Sequence, residues 1–234
     1  MKNFENSVSS FYDSYGSDDF KKGCNERHFF LYNKLVEFGL ANNSSILELG
    51  CGSGIITKLI SKKVKTGKIV TSDISPKSIE ISKSINKSKN IEFIVADIVK
   101  FKHDNSVFDY ISLFDILEHV PEEEHLGIFQ NIKTMMNEDS KLLIHVPTYE
   151  EITYGRINYP EKLQIIDQPL KVEDLIQKTA KAGLRLEYMA LSNIWHKYDY
   201  QLFVLGIDKP YKNEEIPIPK KSLLSKVYTK LFKK

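Results

Sequence analysis

Acidic residues stand at the ends of three predicted strands, the positions where an open α/β sheet binds its ligand. Glu48 lies within the apolar run SILEL, Asp73 directly follows KIVTS, and Asp97 directly follows IEFIVA. Carboxylate oxygens accept hydrogen bonds from hydroxyl and amino groups, and parallel strands bring their carboxyl ends to one edge of the sheet. The pattern predicts a site for a nucleotide-like ligand.

A glycine-rich turn, GCGSG, follows Glu48 and leads into a predicted helix at Ile55. Its spacing is G-x-G-x-G, whereas the dinucleotide fingerprint G-x-G-x-x-G would place its third glycine at Ile55. Glu48, two residues before the first glycine, would also repel a pyrophosphate. S-adenosylmethionine (SAM) carries no phosphate but has a sulfonium and an amine, which an acid beside the turn suits. The spacing therefore favours SAM and disfavours a dinucleotide-dependent reductase.

At this turn the sequence resembles the class I SAM-dependent methyltransferases, whose first motif is written here as ELGCGSG, residues 48–54. Further along, LEHV at residues 117–120 is similar to methyltransferases that act on small molecules, including the quinone-pathway O-methyltransferases. The resemblance covers about residues 8–208. It implies an α/β fold with a Rossmann-like, seven-stranded doubly wound sheet, a closing antiparallel hairpin and an N-terminal helical cap.

The expected cofactor contacts follow from the strand ends and from this resemblance. Asp73 lies where a doubly wound fold places a carboxylate on the ribose hydroxyls, about 20 residues past the glycines. The resemblance implies that Asp97 reaches the adenine amino group and that Ile98 packs on the ring. The predicted cofactor-binding residues are Tyr12, Glu48, Gly50, Cys51, Gly52, Gly54, Asp73, Ile74, Asp97, Ile98, Phe114 and Asp115.

Two carboxylates and an imidazole follow the fourth predicted strand at the spacing i, i+3 and i+4. If Asp115, Glu118 and His119 form one helical turn, all three project from one face and could hold a divalent metal ion. The resembling quinone-pathway and small-RNA enzymes bind a metal through an E-x-x-E-H version of this pattern. In the present sequence, Asp115 stands at the position of the first glutamate. The other interpretation is that Asp115 touches the methionine end of SAM, Glu118 is solvated and His119 caps or packs.

Histidines supply the candidate general bases. A hydroxyl acceptor must lose its proton, and His119 or His145, at the end of the fifth predicted strand, could take it. His145 could equally be a further metal ligand or a core histidine that is hydrogen-bonded to the backbone. His196, in the turn between the last two predicted strands, is a weaker candidate.

The connection at residues 149–170 shows no clear period, and long irregular connections in compact domains are usually functional. In the resembling family this insert forms part of the substrate wall. Tyr154, Arg156 and Tyr159 are the predicted substrate residues, since an arginine with tyrosines suits a sugar or a phosphate. An ordinary exposed loop can have the same composition.

These observations predict a SAM-dependent methyltransferase that O-methylates a small molecule, such as a sugar or a phosphorylated intermediate of a surface polysaccharide. No N-P-P-Y type sequence, which amino-group modifiers of bases and proteins often show, follows the fourth strand. The alternatives are an O-methyltransferase acting on a phenolic quinone precursor or on an RNA terminal hydroxyl, and a non-catalytic SAM-binding module. A formal net charge of only +2 gives no reason to expect nucleic acid as a partner.

The 234 residues suit one α/β domain with additions. The predicted parts are an N-terminal cap segment at 1–44, a methyltransferase domain at 45–208 and a C-terminal tail at 209–234. The cap contributes Tyr12, Tyr15, Arg27 and His28, which could face the ligands or pack on the sheet edge. The tail carries a basic amphipathic pattern that could contact a membrane or a partner, or simply aid solubility.

Composition and terminal sequence favour a cytoplasmic protein. Two cysteines far apart provide neither a disulfide framework nor a CxxC zinc motif. The polar N-terminal sequence MKNFENSVSS does not resemble a signal peptide, and no apolar run reaches membrane-spanning length. A monomer or a homodimer is expected.

Overall fold

The computed structural model describes residues 11–13, 20–21, 23–103, 106–210 and 213. The strands are β1 (Ile46–Leu49), β2 (Ile69–Asp73), β3 (Ile91–Val95), β4 (Tyr110–Phe114), β5 (Lys141–Pro147), β6 (Leu184–Ser192) and β7 (Tyr200–Ile207). The helices of the described elements are α1 (Glu26–Glu37), α2 (Ile55–Lys63), α3 (Pro76–Ile85), α4 (His125–Thr134), α5 (Tyr149–Asn158) and α6 (Val172–Lys181). Short 3₁₀ turns cover Leu117–His119, Glu122–Glu124 and Pro160–Lys162.

The seven strands form one mixed sheet in the order β3-β2-β1-β4-β5-β7-β6. Strands β1 to β5 pair in parallel, and β7 pairs antiparallel with both β5 and β6. This arrangement confirms the predicted seven-stranded, doubly wound sheet with its closing antiparallel hairpin. Every residue of β1, β2 and β4 is buried, because helices cover both faces of the parallel part of the sheet.

Local sequence sets several helix boundaries. Helix α1 begins after Asn25, whose side chain accepts a hydrogen bond from the backbone N–H of His28 while the His28 ring accepts one from the Asn25 N–H. Helix α3 begins after Ser75, whose hydroxyl caps the N–H of Ser78, with proline in the first turn. Each of these helices therefore begins directly after the residue that caps it.

The insert differs from its sequence-based expectation because it is partly helical. Thr148 caps α5 by accepting a hydrogen bond from the N–H of Glu151, and two acids stand in the first turn. Only Ile152 and Gly155 of this helix are buried, so the helix needs no continuous apolar stripe. The absence of such a stripe hid the helix from a periodicity argument.

The ligand side of the sheet lies at the carboxyl ends of β1, β2 and β4, where the strand order reverses on either side of β1. Helix α1 packs on the sheet through Leu31 and Leu35, which belong to an apolar cluster with Ile46 and Ile60. No helix in the described part of the chain is long and apolar enough to cross a bilayer. Tyr15 and the basic segment at 220–234 lie outside the described residues, and the domain boundaries remain predictions.

Candidate active site

A cavity of about 1220 Å³ lies at the carboxyl ends of the central strands. We call its cofactor half the part lined by residues 50–53, 72–74 and 96–100, and its acceptor half the part lined by residues drawn from the stretches 118–124, 151–167 and 195–200. Pockets that hold one drug-sized ligand measure about 300–1,000 Å³. The cavity therefore has room for a nucleoside-sized molecule and a second small molecule.

The glycine turn after β1 presents bare main chain to the cofactor half. Gly50 and Gly52 have φ angles of 80° and 51°, values that side chains rarely tolerate. A Cβ on Gly50 would lie 1.9 Å from Cδ1 of Ile116, whereas a Cβ on Gly52 would meet nothing within 4 Å. The N–H groups of Gly50 and Cys51 both donate to the carbonyl of Ser72, at 2.8 and 2.9 Å. These bonds fix the turn and leave the space over Gly52 open to a ligand.

Asp73 at the end of β2 is held by main-chain donors on both of its carboxylate oxygens. Gly52 N–H donates to Oδ2 at 2.8 Å, and Ser75 N–H donates to Oδ1 at 2.9 Å. Burial raises the pKa of Asp73, although these two hydrogen bonds oppose the rise. A carboxylate has about four acceptor positions, so Asp73 retains capacity for the hydroxyls of a ribose.

Most of the predicted cofactor residues line this cavity. They are Tyr12, Gly50, Cys51, Gly52, Asp73, Ile74, Asp97, Ile98, Phe114 and Asp115. Gly54 does not line it. Gly54 has φ 79° at the start of α2, and a Cβ there would lie 2.0 Å from Oγ of Ser82, so this glycine allows α2 to pack closely on α3.

Glu48 does not line the cavity either, which corrects its predicted contact with the cationic part of the ligand. Its Oε2 accepts hydrogen bonds from the hydroxyls of Thr57, at 2.5 Å, and Thr71, at 3.1 Å. Burial raises the pKa of Glu48 to about 7 despite these two donors. The side chain points between β2 and α2 because successive strand residues face opposite sides of the sheet.

Asp115 lies directly after β4 in a strained turn. Its φ of 56° is in the left-handed region, which costs a non-glycine residue about 1–3 kcal/mol. Nη1 of Arg27 lies 2.7 Å from Oδ2 of Asp115, and Nδ1 of His145 lies 2.8 Å from its Oδ1. Burial would raise the pKa of Asp115, but the charge of Arg27 and the contacts with His145 hold it below its ordinary value. These contacts lock the turn in its strained form.

His145 is fully buried behind Asp115 and does not line the cavity, which corrects its predicted role as a general base or metal ligand. Its ring stacks on Tyr200, with centroids 4.6 Å apart and planes at 8°. Its backbone carbonyl accepts the N–H of Asp115 at 2.7 Å. His145 therefore positions Asp115 from behind, and the side chain is too enclosed to meet an acceptor.

Glu118 and His119 line the acceptor half and form a buried pair, with 3.8 Å between His119 Nε2 and Glu118 Oε1. His119 Nδ1 lies 2.7 Å from the carbonyl of Ile166 and 3.0 Å from Oδ1 of Asp167. Burial raises the pKa of Glu118 to about 8. Burial alone would lower the pKa of His119, but the charge of Glu118 and the hydrogen bond to Asp167 raise it to about 9.

The contacts at Nδ1 select the protonation state of the His119 ring. Both the Ile166 carbonyl and the Asp167 carboxylate are acceptors, so Nδ1 carries a hydrogen. When the ring is neutral, its lone pair is then on Nε2, the nitrogen that faces Glu118. His119 is thereby oriented as a proton acceptor within the cavity.

The predicted metal site at Asp115, Glu118 and His119 does not fit the structure. Asp115 is not on a regular helical turn with the other two residues, and its oxygens are already bound by Arg27 and His145. His119 uses Nδ1 for Ile166 and Asp167. Among the described residues, no group of three or more His, Cys, Asp and Glu side chains has the arrangement of a metal site.

The predicted substrate residues have different positions. Tyr159 lines the cavity, whereas Tyr154 and Arg156 do not. Tyr154 is 55% exposed and packs against Tyr159, with ring centroids 5.6 Å apart. Arg156 is exposed and donates to the carbonyl of Asp167, so it supports the wall from outside. The weaker candidate His196 does line the cavity.

Several lining residues were not predicted from the sequence, above all Asp167. It follows no motif, and its partner His119 lies 48 positions earlier in the chain. Gln164, Trp195 and Tyr200 also line the cavity. For Trp195 and Tyr200, the only local indication in the sequence is the adjacent Trp and His in the turn before β7.

The strand order, with β7 antiparallel between β5 and β6, and the glycine turn beside Asp73 define a Rossmann-like methyltransferase domain. A family model described as "Methyltransferase domain" matches residues 20–198, more than half of the chain. The chain therefore belongs to the class I SAM-dependent methyltransferases, the family that its glycine motif resembles.

Two curated relatives share 30% identity with the chain but are named for different acceptor atoms. (S)-coclaurine N-methyltransferase from Thalictrum flavum subsp. glaucum matches over 119 residues, 49% of this chain and 32% of the relative. Ubiquinone biosynthesis O-methyltransferase from Coxiella burnetii matches over 153 residues, 60% of this chain and 63% of the relative. The matched part thus spans less than two thirds of either relative, and these names do not decide the acceptor atom.

Magnesium protoporphyrin IX methyltransferase from Synechocystis PCC 6803, in a crystal structure with bound SAH, has a similar fold. The TM-score is 0.68 at 15% sequence identity, and the match covers 87% of this chain and 99% of that one. At this identity the likeness concerns the fold alone.

Proposed function

We propose that the protein transfers the methyl group of SAM to a hydroxyl of a small molecule. One observation carries the proposal: a single cavity joins the glycine turn and Asp73 to His119, a histidine oriented as a proton acceptor. The first part suits a nucleoside cofactor, and the second suits an acceptor that must lose a proton. Family membership supports SAM as the methyl donor.

The cofactor half is complementary to SAM along its length. Asp73 would accept the ribose hydroxyls, and Asp97 and Ile98 would contact the adenine. Arg27 and Asp115 present a guanidinium and a carboxylate, which suit the carboxylate and ammonium at the amino-acid end of SAM. The bare main chain at Gly52 allows the ligand to lie against the turn.

The reaction is an in-line displacement at the methyl carbon. The acceptor oxygen forms a bond to that carbon, the carbon–sulfur bond breaks, and its electron pair stays on sulfur, which leaves S-adenosylhomocysteine (SAH). When the His119 ring is neutral, a state that its pKa of about 9 favours at alkaline pH, the acceptor proton passes to Nε2, and Asp167 stabilises the resulting imidazolium. Since the sulfonium is already activated, alignment of the two reactants and exclusion of water supply most of the catalysis.

Among the predicted acceptors, a sugar or a phenol is better supported than a phosphorylated intermediate. Arg156, which suggested an anion, does not line the cavity, and the Nζ of Lys162 lies 4.8 Å from the centre of the Tyr159 ring. Tyr159, Trp195 and Leu163 offer aromatic and apolar surface to a ring-shaped acceptor. An RNA terminal hydroxyl has no comparable support, since clustered phosphate-binding cations would be needed.

The proposal is tested by cofactor binding and by turnover in the same preparation. SAM and SAH should bind in calorimetry, and SAH should be released when a panel of phenols and monosaccharides is supplied. His119→Gln should reduce turnover about 100-fold and leave SAM affinity within about twofold. Because the metal ligands do not fit, EDTA should leave turnover unchanged.

Two outcomes would separate the alternatives. Absence of SAM binding would overturn the proposal altogether. SAM binding without SAH release from any member of the panel would favour a non-catalytic SAM-binding module.

A further inference from the structure

A buried carboxyl oxygen in the acceptor half has no partner. Glu118 is 2% exposed, and among the described residues nothing hydrogen-bonds its Oε2. Its other oxygen, Oε1, faces Nε2 of His119 at 3.8 Å. A buried unpaired polar atom destabilises the folded protein, and native structures contain few of them. Because Glu118 lines the cavity, a ligand can supply the missing donor.

The charges around this oxygen favour a cation over an anion. Among the described residues, the acceptor half is lined by four carboxyl side chains, those of Glu118, Glu124, Glu151 and Asp167, against two cationic groups, Lys162 and the imidazole of His119. The lysine ammonium lies over the Tyr159 ring, 4.8 Å from its centre. An anionic acceptor would therefore meet a surplus of negative charge, and a wholly apolar one would leave Glu118 unpaired.

The nearby guanidinium does not offset this surplus. Arg27 lies 2.7 Å from Asp115, so its charge is matched by a carboxylate of its own. Asp167 is matched in turn by His119 and by the N–H of Gln164, at 2.7 Å from its Oδ2. Glu118 is thus the buried acid of this half with an oxygen that nothing in the described structure occupies.

We propose that the acceptor carries a protonated amine in addition to the hydroxyl that is methylated, and that Glu118 Oε2 binds this amine. The inference rests on the proposed function and specifies its substrate class as an amino alcohol, which includes amino sugars and phenolic amines. The ammonium favours the ionised form of Glu118 and so lowers its raised pKa, which gives the carboxylate a charge-assisted hydrogen bond, and the hydroxyl is left for the neighbouring His119.

The test compares matched ligands on the protein saturated with SAH. Tyramine and 4-ethylphenol differ only by the ammonium group, and glucosamine and glucose form a second pair. In calorimetry or ligand-detected NMR, each amine should bind at least about tenfold more tightly than its neutral counterpart. Equal affinities within both pairs, or no binding of either amine, would overturn the inference.

Two variants locate the effect. Glu118→Gln should reduce the amine preference to less than about threefold, because the isosteric amide has no charge. Glu124→Gln removes an exposed acid from the same wall and should keep most of the preference. A preference that survives Glu118→Gln would assign the amine to another group and contradict the inference.

SAH affinity, measured on every sample, separates this inference from the proposed function. Intact SAH binding with no amine preference would contradict the amine site alone. Failure of the wild-type protein to bind SAH would overturn both the amine site and the proposed function. The comparison of ligands on the wild-type protein is decisive even if the Glu118 variant does not fold.

Discussion

The two halves of the cavity are built by different kinds of contact. In the cofactor half, main-chain donors hold the carboxylate that we propose binds the ribose: the N–H groups of Gly52 and Ser75 donate to Asp73 at the end of one strand. In the acceptor half, His119 is held by Ile166 and Asp167, from a connection 47 and 48 positions along the chain. The first half depends on strand ends and turns, and the second depends on how a long insert folds back.

The insert is fastened to the turn that carries Glu118 and His119 by its own main chain. The N–H of Gln168 donates to the carbonyl of Glu118 at 2.9 Å, and its side-chain amide donates to the carbonyl of Val120 at 2.7 Å. Changes in the insert can thus alter the acceptor wall. The glycine turn of the cofactor half takes no part in these bonds and would keep its structure. This division would allow one cofactor site to serve different acceptors.

The largest effect is expected from Asp73→Ala in the cofactor half. The substitution removes the acceptor of the Gly52 and Ser75 N–H groups together with the proposed ribose contacts. Hydrogen bonds to charged groups contribute about 1.5–3 kcal/mol each, so SAH affinity should fall at least about 100-fold in calorimetry. Asp139→Ala, which changes an exposed acid before β5, should leave affinity unchanged. Equal affinities for the two variants would remove Asp73 from the cofactor site.

A smaller and different effect is expected from Asp167→Asn in the acceptor half. The amide keeps an oxygen near Nδ1 of His119 but loses the charge that helps to raise the ring's pKa to about 9. The pKa of His119 should fall toward its ordinary value, the pH at which turnover is half-maximal should fall with it, and SAH affinity should stay within about twofold. NMR titration of the imidazole signals measures the pKa directly.

The same spectra contain an internal control. His125 is buried, its Nε2 lies 3.0 Å from the carbonyls of Leu117 and Val120, and burial lowers its pKa. Its titration should not change in the Asp167 variant. An unchanged pKa of His119, or an equal shift in both histidines, would show that Asp167 does not act on His119 through its charge.

The cofactor half was largely predictable from the sequence because its contacts are close along the chain or fixed by strand ends. The turn at Gly50 and Gly52 and the acids Asp73 and Asp97 all lie at the predicted edge. The acceptor half was not predictable to the same extent. Asp167 stands in a stretch without a period, and nothing local indicates that it folds back onto a turn 48 positions earlier.

The predictions for His145 and for the metal site failed for geometric reasons. His145 was predicted near a reacting hydroxyl because it stands close to the end of β5, but its ring lies behind Asp115. The metal hypothesis assumed a regular helical turn from Asp115 onward, whereas the φ of 56° turns that residue away from helical geometry. Spacing predicts a shared face only when the backbone has the period that the spacing assumes.

Glu48 gives the sharpest contrast with Glu118, since both are buried glutamates beside a turn that lines the cavity. Glu48 has two threonine donors on its Oε2 and lies outside the cavity, whereas the Oε2 of Glu118 has none among the described residues. Glu48→Gln should therefore have the smallest effect of the three on the site, with SAH affinity within about twofold of wild type. A loss beyond about tenfold would show that the carboxylate reaches the ligand.

The difference in stability between the Glu48→Gln variant and wild type should nevertheless depend on pH in a predictable direction. The pKa of Glu48 is raised from 4.5 to about 7, so the folded state binds this proton more tightly than the unfolded state does. The stabilisation due to that proton is complete below pH 4.5 and is lost as the pH rises through about 7. Urea unfolding at pH 5 and pH 8 should show the variant gaining on wild type at the higher pH. A constant difference would mean that the carboxyl titrates normally, and the enclosure of Glu48 beneath the turn would then be wrong.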